Sequence, residues 1–249
     1  MRKTLRLAHL YPKLMNIYGD RGNILCLRRR CEARDIELVA EDLEVRDPLE
    51  PAAYDLIFMG GGQDKEQRLV AEDLASHKGE ALRRALEEGV TMLAVCGGYQ
   101  LFGRYYRTAA GEELAGAGVF DTWTVHPGEG ARRCIGDVVC EWEGGTLVGF
   151  ENHGGRTYLG AGVRPLARVR RGFGNNGRDG GEGARVGNAF GTYLHGSLLP
   201  KNPRFADYVL RTALSRRYGA LALAPLDDVV EEAAHRAAER VAASRSRLA

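Results

Sequence analysis

The sequence predicts an α/β fold, with a largely parallel central sheet, helices on both faces and a β-rich extension. In the first hundred residues, short apolar runs alternate with amphipathic stretches, which is the pattern of parallel strands joined by helices. Two of these runs end in glycine clusters, at residues 60–62 and 97–98, where strand-to-helix turns are expected. Beyond about residue 117, short β-type segments separated by glycine turns replace the alternation.

The first half of the chain is predicted to alternate strands and helices. The predicted strands cover residues 5–10, 37–43, 54–59 and 91–95, and the helical segments cover residues 22–34 and 66–88, with a break near residues 77–79. On the first helix, the residues expected on the inner side are Ile24, Leu25, Leu27 and Cys31, and those expected mostly outward, in water, are Arg28, Arg29 and Arg30. Ligands of such sheets bind beyond the carboxyl ends of the strands, so a site is expected there.

The second half is predicted to be β-rich and to end in helices. The predicted strands cover residues 119–125, 133–142, 146–151, 166–169 and 189–194, a flexible glycine-rich loop covers residues 173–191, and a helix covers residues 203–218. A final helix, capped by residues 225–228, has the weakly apolar stripe Val230, Ala233, Ala234, Ala237 and Val241. We assign residues 1–220 to one domain and residues 221–249 to this C-terminal helix. It packs on its own domain or on a partner, and its own domain is favoured.

Composition excludes several classes of function. The 249 residues carry a formal net charge of only +2, with acids and bases interspersed, so a nucleic-acid-binding surface is not indicated. The five cysteines form no CxxC pair, which favours neither a disulfide framework nor a zinc site and agrees with a reducing cytoplasm. We expect no membrane-spanning segment and no signal peptide before the first strand.

The segment Thr91-Met-Leu-Ala-Val-Cys96-Gly-Gly-Tyr-Gln100 carries the clearest chemical signal. An apolar run ends in a cysteine, and two glycines allow a sharp turn into a helix, which is the layout of a nucleophile elbow. Helix N–H groups and the helix dipole are expected to lower the pKa of the Cys96 thiol from its free value of about 8.5. The alternative is an inert core cysteine, and a partner base decides between the two.

A candidate base follows about a hundred residues later. Thr192-Tyr-Leu-His195-Gly ends an apolar run in a histidine, and a general base is expected at this edge of the sheet. A histidine of this kind is more often structural when no nucleophile accompanies it. The presence of Cys96 favours the catalytic interpretation.

The glycine turn after the strand at residues 54–59 is a candidate oxyanion site. The backbone amides of Gly61 or Gly62, together with that of Gly97, could converge on a developing oxyanion. The alternative is a simple tight turn between a strand and a helix. A phosphate-binding loop is disfavoured, because neither GxGxxG nor the Lys-Ser/Thr ending of a P-loop is present.

These motifs resemble a known enzyme family. Cys-Gly-Gly-Tyr-Gln after a strand, with Gly-Thr-Tyr-Leu-His-Gly near residue 195, resembles flavodoxin-like class I glutamine amidotransferase domains of the cobyric acid synthase-like branch. More narrowly, four blocks resemble the GatD-type subunit of lipid II isoglutaminyl synthase. They begin at residues 18, 60, 149 and 194 and read YGDRGN, GGGQDKEQ, GFENHGGRTY and LHGSLLPKN. The resemblance covers about residues 5–215.

The resemblance implies a glutaminase. Cys96 would attack the side-chain amide of glutamine, the oxyanion amides would hold the tetrahedral intermediate, and His195 would pass the thiol proton to departing ammonia. Substrate binding is implied for Gln100 and for Arg133, which stands where the family has an arginine before the strand that opens Ile-Gly-Asp. The alternative for Arg133 is that it and the adjacent Arg132 are simply solvated.

The group that orients His195 stays open. Many class I domains carry a glutamate two residues after this histidine, where the chain has Ser197, and the cobyric acid synthase-like branch also lacks that acid. Glu151 and Asn152 are candidate supports, although both equally suit the wall of a pocket. His153 is a second candidate base on its chemistry alone.

The resemblance also implies a partner. Because the chain has no P-loop or other recognisable ATP site, we expect no cofactor or metal in it, and ATP and Mg on a separate Mur ligase-like (MurT-type) subunit. That subunit would activate the D-glutamate α-carboxylate of the lipid II stem peptide at the cytoplasmic face of the membrane, and ammonia would convert it to D-isoglutamine. The alternatives are another acceptor such as a corrinoid, a catalytically silent subunit that recruits the ligase, and a flavodoxin-like cofactor binder.

Overall fold

A six-stranded sheet forms the centre of the protein, and the computed structural model describes residues 2–195 and 197–244. The strands in these residues are β1 (Lys3–Leu10), β2 (Ile36–Leu43), β3 (Leu56–Met59), β4 (Thr91–Val95), β5 (Tyr105–Arg107), β6 (Glu113–Ala115), β7 (Thr122–Val125), β8 (Cys134–Trp142), β9 (Gly145–His153), β10 (Arg156–Leu159), β11 (Ala167–Arg171), β12 (Gly181–Glu182), β13 (Ala184–Val186) and β14 (Ala189–Thr192).

The helices in the same residues are α1 (Arg21–Glu32), α2 (Asp64–Asp73), α3 (Gly79–Glu87), α4 (Gly97–Phe102), α5 (Leu198–Lys201), α6 (Pro203–Tyr218) and α7 (Val229–Ser244). A π turn over Leu74–Lys78 joins α2 to α3, close to the break predicted at residues 77–79. Within the described part of the chain, we find no helix with the length and apolar character that crossing a bilayer requires.

The strand order of the central sheet is β13-β14-β4-β3-β1-β2. All neighbours run parallel except β13, which pairs antiparallel with β14. The chain moves from β1 outward to β2, but from β3 in the opposite direction to β4. Right-handed crossovers therefore place α1 on one face of the sheet and α2 and α3 on the other. The predicted α/β fold is confirmed.

The strands that lead to the site are the most buried ones. β3, β4 and β14 are buried along their whole length, as apolar runs of four or five residues between two helical layers should be. Because parallel strands end at the same edge of a sheet, the residues that follow Met59, Val95 and Thr192 meet there.

The β-rich second half forms two four-stranded sheets, in the orders β10-β7-β5-β6 and β12-β11-β8-β9. Residues 173–191 are not the loop that their glycines predict, because they contain β12 and β13 and fully bury Asn175 and Glu182. The Asn175 side chain donates to the Gly183 carbonyl (2.8 Å) and accepts from the Gly183 N–H (2.9 Å). Hydrogen bonds of the Asn175 side chain thus hold this segment where strand pairing is absent. The pattern of apolar residues cannot predict such bonds.

Two predictions about α1 are wrong. Leu25, expected on the inner side, is 56% exposed, whereas Arg30, expected in water, is 5% exposed. Arg30 is covered because its guanidinium donates to Asp207 on α6 (2.6 Å) and twice to Asp228 before α7 (2.7 Å each). These partners lie more than 170 residues away in sequence, so the pattern of α1 alone does not indicate them.

The C-terminal helix α7 packs on the domain, but not through the predicted apolar stripe. Val230 and Val241 are 76% and 44% exposed, while Ala242 is buried against β8 and β9. The packed face is polar as well as apolar, because His235 Nε2 hydrogen-bonds the Thr146 hydroxyl at 2.9 Å. These polar contacts rotate the buried face away from the valines.

Replacing Arg30 by methionine is expected to destabilise the protein. Arg30→Met leaves the partly buried Asp228 without its guanidinium partner and leaves Asp207 with Arg34 alone, which should lower the free energy of unfolding by about 2–4 kcal/mol. Urea denaturation followed by circular dichroism measures the change. Arg29→Met, at an exposed neighbouring position, is the control and should shift the free energy by less than about 0.5 kcal/mol. Equal effects of the two variants would contradict the role given to Arg30.

Candidate active site

Cys96 leaves the end of β4 in a strained backbone conformation, with φ 50° and ψ −107°. A residue with a side chain rarely adopts such a positive φ, and holding it there costs about 1–3 kcal/mol. Glycine makes room for the turn, since a Cβ at Gly98 would lie 2.6 Å from the Gly60 carbonyl oxygen. The Cys96 N–H donates to the Thr192 carbonyl at 2.8 Å, which fixes the turn to the neighbouring strand. This is the sharp turn that the sequence predicts.

The ionisation of Cys96 differs from the prediction. Burial raises the pKa of Cys96 and the carboxylate of Asp20 raises it further, while the Gly97 N–H and the Arg133 guanidinium lower it less. The predicted low pKa is therefore wrong for this state. The reason is physical: α4 has only six residues, so its dipole is weak, and the thiol is 8% exposed in a poorly polarisable environment. The thiol is neutral at pH 7.

A cavity of about 520 Å³ lies in front of Cys96. Its wall is built by the turn after β3, the start of α2 and the adjoining ends of β8 and β9. Besides Cys96, the predicted site residues that line it are Gly62, Gln100, Arg133, Asn152 and His153. Two other predicted residues, His195 and Glu151, are fully buried and do not line the cavity. Among the described residues, no group of three or more His, Cys, Asp or Glu side chains is arranged to hold a metal ion.

His195 follows β14, the strand beside β4. Thr192 pairs with Val95 in the parallel register. His195 therefore follows its strand at the same edge of the sheet at which Cys96 follows β4. An antiparallel bridge to Phe150 of β9 also holds His195, whose backbone N–H donates to the Phe150 carbonyl at 2.7 Å. Burial, with a smaller contribution from His153, lowers the pKa of His195 to about 3. The imidazole is therefore neutral at pH 7, which is the form that a general base needs.

His153, the second candidate base, lies in the wall of the cavity. Its ring stacks on Tyr193 with centroids 3.6 Å apart and an inclination of 9°. Its Nδ1 is 2.8 Å from the Gly155 carbonyl, and because a carbonyl only accepts, Nδ1 carries a proton and donates it there. Nε2 lies 3.6 Å from Glu151 Oε2. Glu151 also accepts the backbone N–H groups of Phe173 and Gly174, so it holds the loop after β11 beside His153.

Arg133 and Asn152 form one exposed side of the cavity. Arg133 Nε donates to Asn152 Oδ1 at 3.0 Å, and Nη2 donates to the Asn152 carbonyl at 3.2 Å. These bonds use two of the five guanidinium N–H groups and hold the planar group in one orientation. Gln100 is 4% exposed and donates to the Tyr193 hydroxyl at 3.1 Å, so its amide is tied to the buried side of the wall.

The three predicted oxyanion amides are not equivalent. The Gly61 N–H donates to Asp20 Oδ2 at 2.7 Å, so in this state it does not point into the cavity. A Cβ at Gly97 would lie 2.9 Å from the Gly62 nitrogen, which makes the amides of Gly62 and Gly97 neighbours. Among the three predicted amides, those of Gly62 and Gly97 are therefore the adjacent pair beside Cys96.

Asp20 is a candidate functional residue that the sequence patterns did not single out. It precedes α1, where an aspartate usually caps the helix, yet it makes no capping bond and reaches Gly61 instead. A Cβ at Gly61 would lie 3.4 Å from Asp20 Oδ2 and 3.2 Å from Cys96 Cβ, so the carboxyl group is close to Cys96. Burial raises the pKa of Asp20 to about 7, although the Gly61 N–H opposes the shift.

The segment around Asp20 also fixes the chain that follows His195. The Asn23 side chain accepts the Leu199 N–H at 2.8 Å, and the Ser197 hydroxyl donates to the Gly19 carbonyl at 2.9 Å. One short segment before α1 thus connects the glycine turn after β3 with the chain after β14. The only sequence signal for this was the block YGDRGN, whose polar residues no helix pattern explains.

Residues 6–203 match the family model of the CobB/CobQ-like glutamine amidotransferase domain. The chain belongs to this family. The match includes the elbow at Cys96, the strand that leads to His195 and Arg133 between them. The predicted class of enzyme, a glutamine amidotransferase, is confirmed.

Curated relatives make the similarity more specific. The chain is 39% identical over 231 residues to the GatD subunit of the glutamine-hydrolyzing lipid II isoglutaminyl synthase of Streptococcus pneumoniae, covering 92% of this chain and 88% of that protein. It is 41% identical over 214 residues to the subunit of the same name from Staphylococcus aureus, covering 86% of each. The resemblance predicted from the four sequence blocks is confirmed.

Solved structures agree on the fold. A crystal structure of a glutamine amidotransferase superposes with a TM-score of 0.57 at 18% identity, over 83% of this chain and 98% of that one. A second glutamine amidotransferase, from Thermotoga maritima, gives a TM-score of 0.53 at 14% identity, over 96% and 94%. At such low identity the likeness shows the fold alone.

Removing the charge of Asp20 is expected to make Cys96 more reactive. Asp20→Asn keeps an acceptor for the Gly61 N–H but removes the carboxylate that raises the pKa of Cys96. Alkylation of Cys96 by iodoacetamide, followed by peptide mass mapping, should be about three- to tenfold faster at pH 8.5. Because the pKa of Asp20 is raised to about 7, the difference should shrink below pH 6, where the wild-type group is protonated.

Asp64→Asn is the matched control for this experiment. Asp64 is also a carboxylate in the cavity wall, but it is exposed, so water screens its charge. Its removal should change the alkylation rate less than twofold. Equal rates for Asp20→Asn and wild type at pH 8.5 would show that Asp20 does not act on the thiol.

Proposed function

We propose that this chain is the glutaminase subunit of a lipid II isoglutaminyl synthase, with Cys96 and His195 as its catalytic dyad. The observation that carries the proposal is the strained turn at Cys96. It holds a cysteine in the wall of a cavity, at the end of the strand next to the one that leads to His195. A structural core cysteine has no need of a backbone conformation that costs about 1–3 kcal/mol.

The proposed reaction begins with attack of Cys96 Sγ on the side-chain carbonyl carbon of glutamine. Because thiol and imidazole are both neutral, the proton passes from sulfur to His195 as the carbon–sulfur bond forms. The amides of Gly62 and Gly97 bind the oxygen that gains negative charge. His195 then gives the proton to the nitrogen, the carbon–nitrogen bond breaks, and ammonia leaves a thioester behind. Water, deprotonated by His195, cleaves the thioester to glutamate and free thiol.

Arg133 is proposed to bind the α-carboxylate of glutamine. Its guanidinium is held in one plane by Asn152 and lies in the same cavity wall as Cys96. Such a fork suits the two oxygens of a carboxylate. Gln100, fixed by Tyr193, shapes the opposite, buried side of the pocket.

The ammonia is proposed to serve a second subunit. The two GatD relatives are named as subunits of a glutamine-hydrolyzing synthase, and this chain spans 88% and 86% of their lengths. The proposed partner is a Mur ligase-like (MurT-type) subunit that holds ATP and Mg and activates the D-glutamate α-carboxylate of lipid II. The complex would work at the cytoplasmic face of the membrane, where it would form D-isoglutamine.

The dyad is tested by glutamate release from glutamine, measured with the chain alone and with its copurified ligase subunit. Cys96→Ala should abolish release, and a diazoketone analogue of glutamine should attach to Cys96 in the wild type. His195→Ala should lower the rate by about 10²–10⁴-fold, and His153→Ala should lower it much less. Cys26→Ser, at a half-buried position that does not line the cavity, is the control that keeps activity. A larger loss for His153→Ala than for His195→Ala would reassign the base.

The role of Arg133 is tested by steady-state kinetics. Arg133→Ala should raise KM for glutamine about 10–100-fold, since hydrogen bonds to a charged group contribute about 1.5–3 kcal/mol, with kcat changed less than about threefold. Arg132→Ala, at the adjacent exposed position, should leave KM within twofold. A greater effect of Arg132→Ala would mean that the family arginine has been matched to the wrong position.

A further inference from the structure

Glu182 is a fully buried acidic residue that the proposed reaction does not use. It ends β12, within the glycine-rich segment at residues 173–191. Its Oε1 accepts a hydrogen bond from the Thr192 hydroxyl and another, at 3.1 Å, from the Tyr193 N–H. Both donors belong to the chain that leads from β14 to His195. The carboxyl group therefore contacts the segment that precedes the proposed base.

The Thr192 hydroxyl extends this contact by one more residue. While it donates to Glu182, the same oxygen accepts the Leu194 N–H at 3.0 Å. A hydroxyl group can donate and accept at once, so threonine suits this double role. One carboxyl oxygen and one hydroxyl thus bind all three residues that come directly before His195.

Further hydrogen bonds connect this pair of side chains to the turn at Cys96. The Cys96 N–H donates to the Thr192 carbonyl at 2.8 Å. On α4, which begins directly after Cys96, the Tyr99 hydroxyl donates to Asn175 Oδ1 at 3.2 Å. The Asn175 amide in turn binds the backbone of Gly183, next to the buried carboxyl group. The hydrogen bonds form a closed path that fixes the end of β14 relative to α4.

We propose that Glu182, acting through Thr192, positions His195 for proton transfer. This inference rests on the proposed glutaminase function and adds a positioning residue to it. The bridge to Phe150 holds the backbone of His195 on one side, and the Glu182–Thr192 pair holds the chain that leads into it on the other. Proton transfer from the Cys96 thiol requires hydrogen-bond reach, and a displacement of about 1 Å can lower a rate about 100-fold. The role needs an acceptor oxygen at Glu182 and not its charge.

The first test removes the hydroxyl and measures glutamate release by the chain with its copurified ligase subunit. Thr192→Val keeps the β-branched shape and should lower kcat about 10–100-fold, with KM for glutamine within about threefold because Arg133 is untouched. Thr192→Ser restores the hydroxyl and should stay within about threefold of the wild-type kcat. An unchanged kcat in Thr192→Val, or a loss of activity that appears in KM instead, would overturn the proposal.

Thr91→Val is the matched control for this substitution. Thr91 is an equally buried threonine at the start of β4, the end of that strand away from Cys96. Its hydroxyl has no hydrogen-bond partner among residues 2–195 and 197–244, so its removal should change kcat less than twofold. Circular dichroism verifies that each variant is folded at the assay temperature.

Two substitutions of Glu182 separate its acceptor from its charge. Glu182→Gln keeps an acceptor oxygen and should keep kcat within about threefold of wild type. Glu182→Met has a similar length but no such oxygen, so it should lower kcat about as far as Thr192→Val. An equal loss in the two Glu182 variants would mean that the charge is required, and the positioning role would be wrong.

A double variant tests whether the effect passes through His195. Adding Thr192→Val to His195→Ala should lower the residual rate less than about twofold, because the group that Thr192 positions is already absent. A further loss of tenfold or more would overturn the proposal. If the wild-type complex released no glutamate from glutamine, the proposed function itself would fail. An active wild type with an equally active Thr192→Val would reject only the role of Glu182.

Discussion

The parallel pairing of β4 with β14 is the constraint on which the site depends. It brings together two strand ends that lie about a hundred residues apart in sequence, and the hydrogen bond from the Cys96 N–H to Thr192 continues the pairing into the turn itself. β3 pairs with β4 on its other side, so the glycine turn that follows β3 lies at the same edge of the sheet. The positions of these three turns thus depend on the backbone hydrogen bonds among the buried strands β3, β4 and β14. Any change that shifts this register moves Cys96, His195 and the glycine turn together.

Burial determines how the site holds its protons. The thiol and the imidazole are both shifted towards their neutral forms, and Asp20 towards its protonated form, because each charge would lack the water that stabilises it elsewhere. An ion pair of thiolate and imidazolium is therefore not the resting state. In the proposed reaction, charge would develop only after substrate binds, where the amides of Gly62 and Gly97 are proposed to stabilise it. This arrangement protects a cysteine from oxidants that attack thiolates.

The sequence predicted most where local pattern and burial agree. The bounds of β4 and α6 matched the structure because a continuous apolar run and a proline-initiated amphipathic helix leave little choice. The elbow was predictable for a similar reason, since two glycines after a cysteine specify a turn. Prediction failed where a distant polar partner decides, as for Arg30 with Asp207 and Asp228, or Asp20 with Gly61. The pKa of Cys96 is raised, whereas the sequence predicted a lowered one. This error has the same origin, because the tertiary structure determines how deeply the thiol is buried.

The positive φ at Cys96 has a consequence for how this chain can change over generations. Glycine would relax the backbone at that position, so the side chain there is retained against a local gain in stability. A duplicated gene copy freed from selection for chemistry, and kept only as a scaffold, should drift towards glycine at position 96 and melt at a higher temperature. The residue at position 96 would then distinguish descendants that are still catalytic from those that have lost activity.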